Sequence, residues 1–396
     1  MMWKQNIGSL RKYATLPNTK PLLLDILPPK KIISRLLFDN DARYNFHKYL
    51  PVIESIYDNP IIDNKQISEK FNGTDLLIFQ RVLAQIRKQT HTINPILLKL
   101  ESDLIEYAAE RGSRDALCTL SFLALDDSGQ GWSESDKITA KKYIKQLMEM
   151  EHPLAFKLAA DRELKDFTNS IESSEKSISD LTPNSDLLFS NISSSPKQLS
   201  RAISLYNHFL DLDSTSTIAA AAHRSLGMIY FRTQELIKAE DHFKHAIHLA
   251  PSSDNSQAHF FLGLLNEIDP IKARYHFQMA ASEGFRESFA NLGYLELNIF
   301  NELIKAKEWF KLGAELGVSE CIVGLFDVAI REKNWDNAKI ILDKAEKQGL
   351  SDLLYEVREE TVQNVLNKTI KQSNETTSES NNTVNNTTSS NSRWDL

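Results

Sequence analysis

A chain of 396 residues, 41% hydrophobic and 25% charged, has the composition of a soluble protein that buries one large core or a stack of smaller ones. Its 46 basic and 53 acidic residues leave a formal charge of −7, without the basic excess that nucleic-acid binding calls for. The two cysteines, Cys118 and Cys321, argue against a disulfide or zinc framework and for a reducing compartment. No apolar run reaches the roughly 18 residues of a membrane span; the longest, "LCTLSFLAL" at 117–125, predicts a buried helix.

Residues 1–13, "MMWKQNIGSLRKY", carry Lys4, Arg11 and Lys12, no acid, and Trp3, Ile7 and Leu10 at helical spacing. This pattern predicts a basic amphipathic mitochondrial presequence rather than a secretory signal. "RKYA" at 11–14 resembles the cleavage site of the fungal mitochondrial processing peptidase. Residues 20–100 read as an N-terminal helical region built from "KKIISRLLF", "RYNFHKYLPVIESIY", "TDLLIFQRVLAQIRKQ" and "INPILLKLESDLIEYAAERG", with apolar residues recurring at three and four. Pro28, Pro29 and Pro60 punctuate them. Residues 101–167 become repeat-like, with Gly112 following Ala108 and Ala109.

The serine-rich stretch 168–196 cannot bury a face and is expected to be a disordered insertion inside one repeat. It falls between "HPLAFKLAADRELKDF" and "LSRAISLYNHFLDLD", the two helices of one expected hairpin. Residues 199–350 then repeat with a period in the low thirties. Ala239, Ala273, Ala306 and Ala338 share a column, 34, 33 and 32 residues apart, and Phe243, Phe277, Phe310 and Leu342 share the next. Such a period predicts a solenoid. A capping helix is expected over 351–368 and a disordered polar tail over 369–396.

Within 221–251, Leu226, Gly227, Tyr230, Ala239, Phe243, Ala246 and Pro251 stand at the offsets of a tetratricopeptide repeat. The small residues let two helices approach, the aromatic rings fill between hairpins, and Pro251 ends the second helix. His223 departs from the pattern, which usually has tryptophan there. Gly263 and Gly293 repeat the signature of the first helix; Gly284, Gly317 and Gly349 close the second helix in the left-handed conformation, as in the Sel-type variant. The expected fold is all-α, a right-handed superhelical α-solenoid of helix–turn–helix repeats.

Chemistry is sparse. There is no nucleophile elbow, phosphate loop, dinucleotide fingerprint or zinc-protease helix, and no catalytic, cofactor or metal site is expected. Gly129 and Gly131 lie in a polar turn without a strand to position a ligand. His242, His245 and His248 recur every three residues beside Asp241, a spacing that solvated helix histidines also show. Binding is better supported. The first helix of each repeat lines the concave face of such a solenoid. The offsets place Arg224, Met228, Phe231, Phe260, Leu264, Ala290, Tyr294 and Leu297 there, an apolar wall suited to an extended or amphipathic segment.

"LIEYAAERGSRDALCTLSF", "ARYHFQMAASEGFRESFANLGYLELNIFNELIKAKEWFKLGAEL" and "FDVAIREKNWDNAKIIL" carry a more specific resemblance. From about residue 20 to 360 the chain resembles the fungal mitochondrial tetratricopeptide factors that export the C-terminal tail of cytochrome c oxidase subunit 2. The resemblance implies a peripheral protein on the matrix face of the inner membrane, with that tail and an Oxa-type insertase as partners and no nucleic acid. The serine-rich insertion and polar tail depart from the family pattern. The rival reading is a mitochondrial RNA-binding helical repeat that regulates translation, which would favour a basic face.

Overall fold

The computed structural model describes residues 21–58, 71–90, 93–126, 132–175, 196–266, 268–350, 354–355 and 358–367. The expected presequence, residues 176–195 of the serine-rich stretch, the turn at Gly129–Gly131 and the polar tail lie outside them. Among the described residues the chain is helical throughout, with turns but no strand. It divides into two compact units, 1–214 and 215–396.

In the first unit, a short α1 (Leu23–Ile26) precedes α2 (Lys30–Asp39) and α3 (Phe46–Asp58), then α4 (Gly73–Thr90) and α5 (Pro95–Glu110). There follow α6 (Arg114–Leu125), α7 (Glu134–Glu149), α8 (Pro153–Glu175) and α9 (Pro196–Leu212). Neighbours pack as hairpins, α2 with α3, α4 with α5, α6 with α7 and α8 with α9, while α2, α4, α6 and α8 pack successively. The hairpin order therefore already holds in 20–100, where the sequence shows helices but no repeat column. A core of Tyr49, Ile53, Leu76, Phe79 and Leu104 joins α3, α4 and α5. Asn94 caps α5 through Ile96 N, and Ser133 and Asp136 form a reciprocal capping box on α7.

The insertion expected from residue 168 begins later, because α8 stays helical to Glu175. Helix propagation fixes one residue per added bond, so serines past the buried Phe167 extend a helix already nucleated by packing. α8 and α9 pack as one hairpin with 176–195 between them in the chain.

The second unit stacks four hairpins: α10 (Thr217–Arg232) with α11 (Leu236–Leu249), α12 (Ser252–Leu265) with α13 (Pro270–Ser282), α14 (Glu287–Asn298) with α15 (Leu303–Glu315), and α16 (Ser319–Arg331) with α17 (Trp335–Lys347). Residues 358–367 are helical, and Leu354, Val362 and Val365 complete a core with Phe326 and Leu342. Proline and glycine mark the joints. Pro251 stands between α11 and α12 as the N-cap of the latter. Gly284, Gly317 and Gly349 have φ of 81°, 83° and 70°, where only glycine escapes a steric penalty. At Gly317 the next amide, Val318 N, donates to Gly313 O at 2.9 Å, closing the helix end in a Schellman motif.

Candidate peptide-binding surface

The repeat columns resolve into a single packing rule. A Cβ on Gly227 would fall 2.7 Å from the Phe243 ring, one on Gly263 2.6 Å from Phe277, and one on Gly293 2.4 Å from Phe310. Each glycine of a first helix is thus the seat of the aromatic ring of its second helix. Phe310 is seated twice, since a Cβ on Gly324 in α16 would also meet the same Cδ1–Cε1 edge of its ring, at 2.3 Å. Ala239, Ala273, Ala306 and Ala246 are buried for the same reason: helices approach where side chains are small. Leu226 and Tyr230 are buried as well.

This close packing consumes part of the expected binding wall. Leu297, at 1% exposure, and Ala290 are buried core residues and leave the candidate surface. Phe260 is half-buried among Phe261, Phe277 and Phe285, with ring centroids 5.4, 5.9 and 4.9 Å away. Tyr294 sits edge-on to Phe310 at 4.9 Å, and burial pushes its hydroxyl up to about 12. Phe231 packs on Phe261 at 4.8 Å. Arg224 is structural in its contacts. Its guanidinium donates to the Asp254 carbonyl and to Asn255 Oδ1, while the Asn255 amide donates to the Ala246 and Ala250 carbonyls at 2.8 and 2.9 Å. That relay ties α10 and the end of α11 to the kink at Asn255 in α12. Half-buried Met228, Phe231, Phe260, Leu264 and Tyr294 remain as the accessible part of the wall.

The histidines regroup. His242 and His245 both meet His223 of α10: His242 brings its Nδ1 to 2.9 Å from the His223 Nδ1, and His245 stacks on the His223 ring at 5.0 Å while its Nδ1 bonds to the Asp241 carbonyl of its own helix. One repeat on, His259 and His276 make the same pair at 3.0 Å. Among the described residues no three His, Cys, Asp or Glu side chains converge on a metal site. In the following repeat the same two positions hold Phe289 and Trp309, again in ring contact at 6.1 Å. The position is a ring-on-ring joint between the two helices of a hairpin, and His223, the departure from the repeat pattern, is half of one such joint.

Sequence reasoning passed over another column. Ile237, Ile271 and Ile304, each two residues before the conserved-spacing alanine, are 80%, 72% and 77% exposed at the start of α11, α13 and α15. The lysine after each pairs with a carboxylate three residues back, Lys238 with Glu235, Lys272 with Asp269 and Lys305 with Glu302. The recurring "IKA" at 237, 271 and 304 was the signal available.

The model of the MSS2 N-terminal domain matches residues 19–113. The mitochondrial protein MSS2 of Saccharomyces cerevisiae is 30% identical over 347 residues, spanning 85% of this chain and 90% of its own length. The chain belongs to the MSS2 family. Solved structures resemble it at lower identity. They include Pseudomonas aeruginosa pilF (14% identity, 63% of this chain and 97% of that one, TM-score 0.42). The Sel1 repeat protein of Oxalobacter formigenes is another (16% identity, 69% and 99%, TM-score 0.37). Each unit of this MSS2-family chain is all-α among the described residues and built of helix–turn–helix hairpins, and the N-terminal family domain coincides with α1–α5 of the first unit.

Proposed function

We propose that this MSS2-family chain is a non-enzymatic mitochondrial assembly factor. It acts at the matrix face of the inner membrane and holds the C-terminal tail of cytochrome c oxidase subunit 2 while an Oxa-type insertase translocates it. The observation that carries the reading is kinship to a mitochondrial protein over 85% of the chain, on a scaffold of stacked hairpins. Its physical support is a surface suited to binding. Met228, Phe231, Phe260, Leu264 and Tyr294 present partly accessible apolar side chains on first helices. Among the described residues no helix is long and apolar enough to cross a membrane, which accords with peripheral attachment. Release of residues 1–13 on import belongs to the same reading, and a mature N-terminus near Ala14 is its mass-spectrometric signature.

Deletion of the gene tests the function. In mitoplasts from deleted cells, newly labelled subunit 2 is expected at normal synthesis with its C-terminal tail protected from added protease. Normal exposure of the tail rejects the assignment. Loss of subunit 2 synthesis, with its messenger bound by the purified protein, favours the translational regulator instead.

A further inference from the structure

The first unit contains a cleft of about 500 Å³ between the α6/α7 and α8/α9 hairpins. Its floor is apolar, made by Phe122, Ile144, Met148 and Phe156. Its rim carries Lys141, Lys145, Arg162 and Arg201 against Glu149 and Glu163. Both acids are already engaged, Glu149 with Lys145 at 3.8 Å and Glu163 with Arg201 at 3.2 Å. The remaining cations are under-used. Lys141 is exposed and has no carboxylate within ion-pair distance among the described residues. Arg162 reaches Asp166 only through Nε at 3.9 Å, and its Nη1 is shielded from water without a hydrogen-bond partner. A donor atom shielded from water without a partner is unfavourable, so an acceptor arriving there is favoured. A net positive rim on a chain of charge −7 is a local departure that calls for a local reason.

We propose that this cleft binds an acidic amphipathic peptide segment, its apolar face on the Phe122–Met148–Phe156 floor and its carboxylates at Lys141 and Arg162. The opening decides between peptide and lipid. A cleft walled by two hairpins and open along its outer side covers one face of its occupant, which suits the apolar face of an amphipathic helix. A fatty acid or detached acyl chain needs a site that encloses most of its surface. The site lies in the first unit and is separate from the first-helix wall of the second, so the inference does not rest on the subunit 2 assignment.

The test uses the purified full-length protein and a fluorescein-labelled helical peptide of about 15 residues. Leucines occupy one face and glutamates flank it; a twin carries lysine for each glutamate. Anisotropy should show the acidic peptide binding about tenfold or more tighter than its twin, with the difference shrinking as salt rises. Lys141→Glu, an exposed change, should remove that preference, and Arg162→Gln should weaken the acidic peptide about tenfold. A photo-crosslinker replacing Met148 in the otherwise unaltered chain should capture the acidic peptide, whether or not the charge variants fold as well. Equal binding of the twins, an unchanged preference in Lys141→Glu, or crosslinking only from sites outside the cleft would each overturn the proposal. So would displacement of the peptide by oleate or by anionic vesicles at concentrations where the peptide itself binds weakly, since that outcome assigns the cleft to lipid.

Discussion

Phe310 shows how one residue couples three helices. The Cδ1–Cε1 edge of its ring is seated against both Gly293 and Gly324, so a methyl group on either glycine drives into a ring that the other helix also confines. Gly324→Ala is expected to lose about 2–3 kcal/mol through overpacking. Gly317 differs: a Cβ there meets nothing within 4 Å, and the cost of substitution is purely the backbone at φ 83°. Gly317→Ala should therefore lose only about 1 kcal/mol. Urea denaturation of the two variants orders them, and an equal loss would refute the distinction between seat and cap. Lys333 holds the left-handed conformation, at φ 55°, without being glycine. Lys333→Gly should raise the melting temperature, by about 0.5–1 kcal/mol of stability, because it removes that strain. Sequence spacing alone located Gly284, Gly317 and Gly349. It could not distinguish Lys333, since a lysine in a turn carries no mark of a positive φ.

The hairpin is the scale at which the histidines matter. His223 is pushed down to about 4 by burial, then by His242 and His245, and His276 to about 4 by burial, then by His259 and Lys244 with Glu240 opposing. His242 and His259 are also lowered, chiefly by burial; at His242 the neighbouring His245 and then Lys238 reinforce, while Asp241 opposes there and Glu283 opposes at His259. An unfolded histidine titrates near 6.5. Below that pH the unfolded chain takes up protons that the native pairs exclude. The stability of α10–α13 is therefore whole above about pH 7 and falls as pH drops from 6.5 toward 4. The rings are partly solvated, so the loss at pH 5 is on the order of 1 kcal/mol per pair. His223→Gln with His276→Gln should flatten the dependence of melting temperature on pH between 7.5 and 5; an unchanged slope would count against the pairs. Periodicity along α11 suggested His242, His245 and His248 as neighbours. His242 and His245 do share a face, but the ring both of them meet, His223, comes from another helix, which no spacing within one helix reveals.

Over the whole molecule, the exposed column of Ile237, Ile271 and Ile304 separates surface from core. These three contribute little to folding despite being strong apolar residues at repeat positions. Their joint replacement by serine should leave the unfolding free energy within about 0.5 kcal/mol per site. Phe243, Phe277 and Phe310, six residues or so later in each repeat, should each lose about 3–5 kcal/mol on truncation to alanine. A triple isoleucine variant that melts far lower would show that the column is covered in the protein.

The alanine and phenylalanine columns and the turn glycines were enough to specify an all-α stack of hairpins, because a period near thirty-three with small and large residues at constant offsets admits few other packings. The sequence also showed the boundaries where packing ceases to be patterned, though it placed the serine-rich break at 168 while α8 runs to Glu175. What it could not decide is which side chains a neighbouring helix covers. Leu297 and Tyr294 share a helix face in the sequence, yet one is sealed and the other half-open, and Arg224 is drawn into the Asn255 relay. The cleft between the α6/α7 and α8/α9 hairpins is likewise tertiary, since its lining residues come from segments far apart in the chain and only the stacking of helices brings an apolar floor under a basic rim.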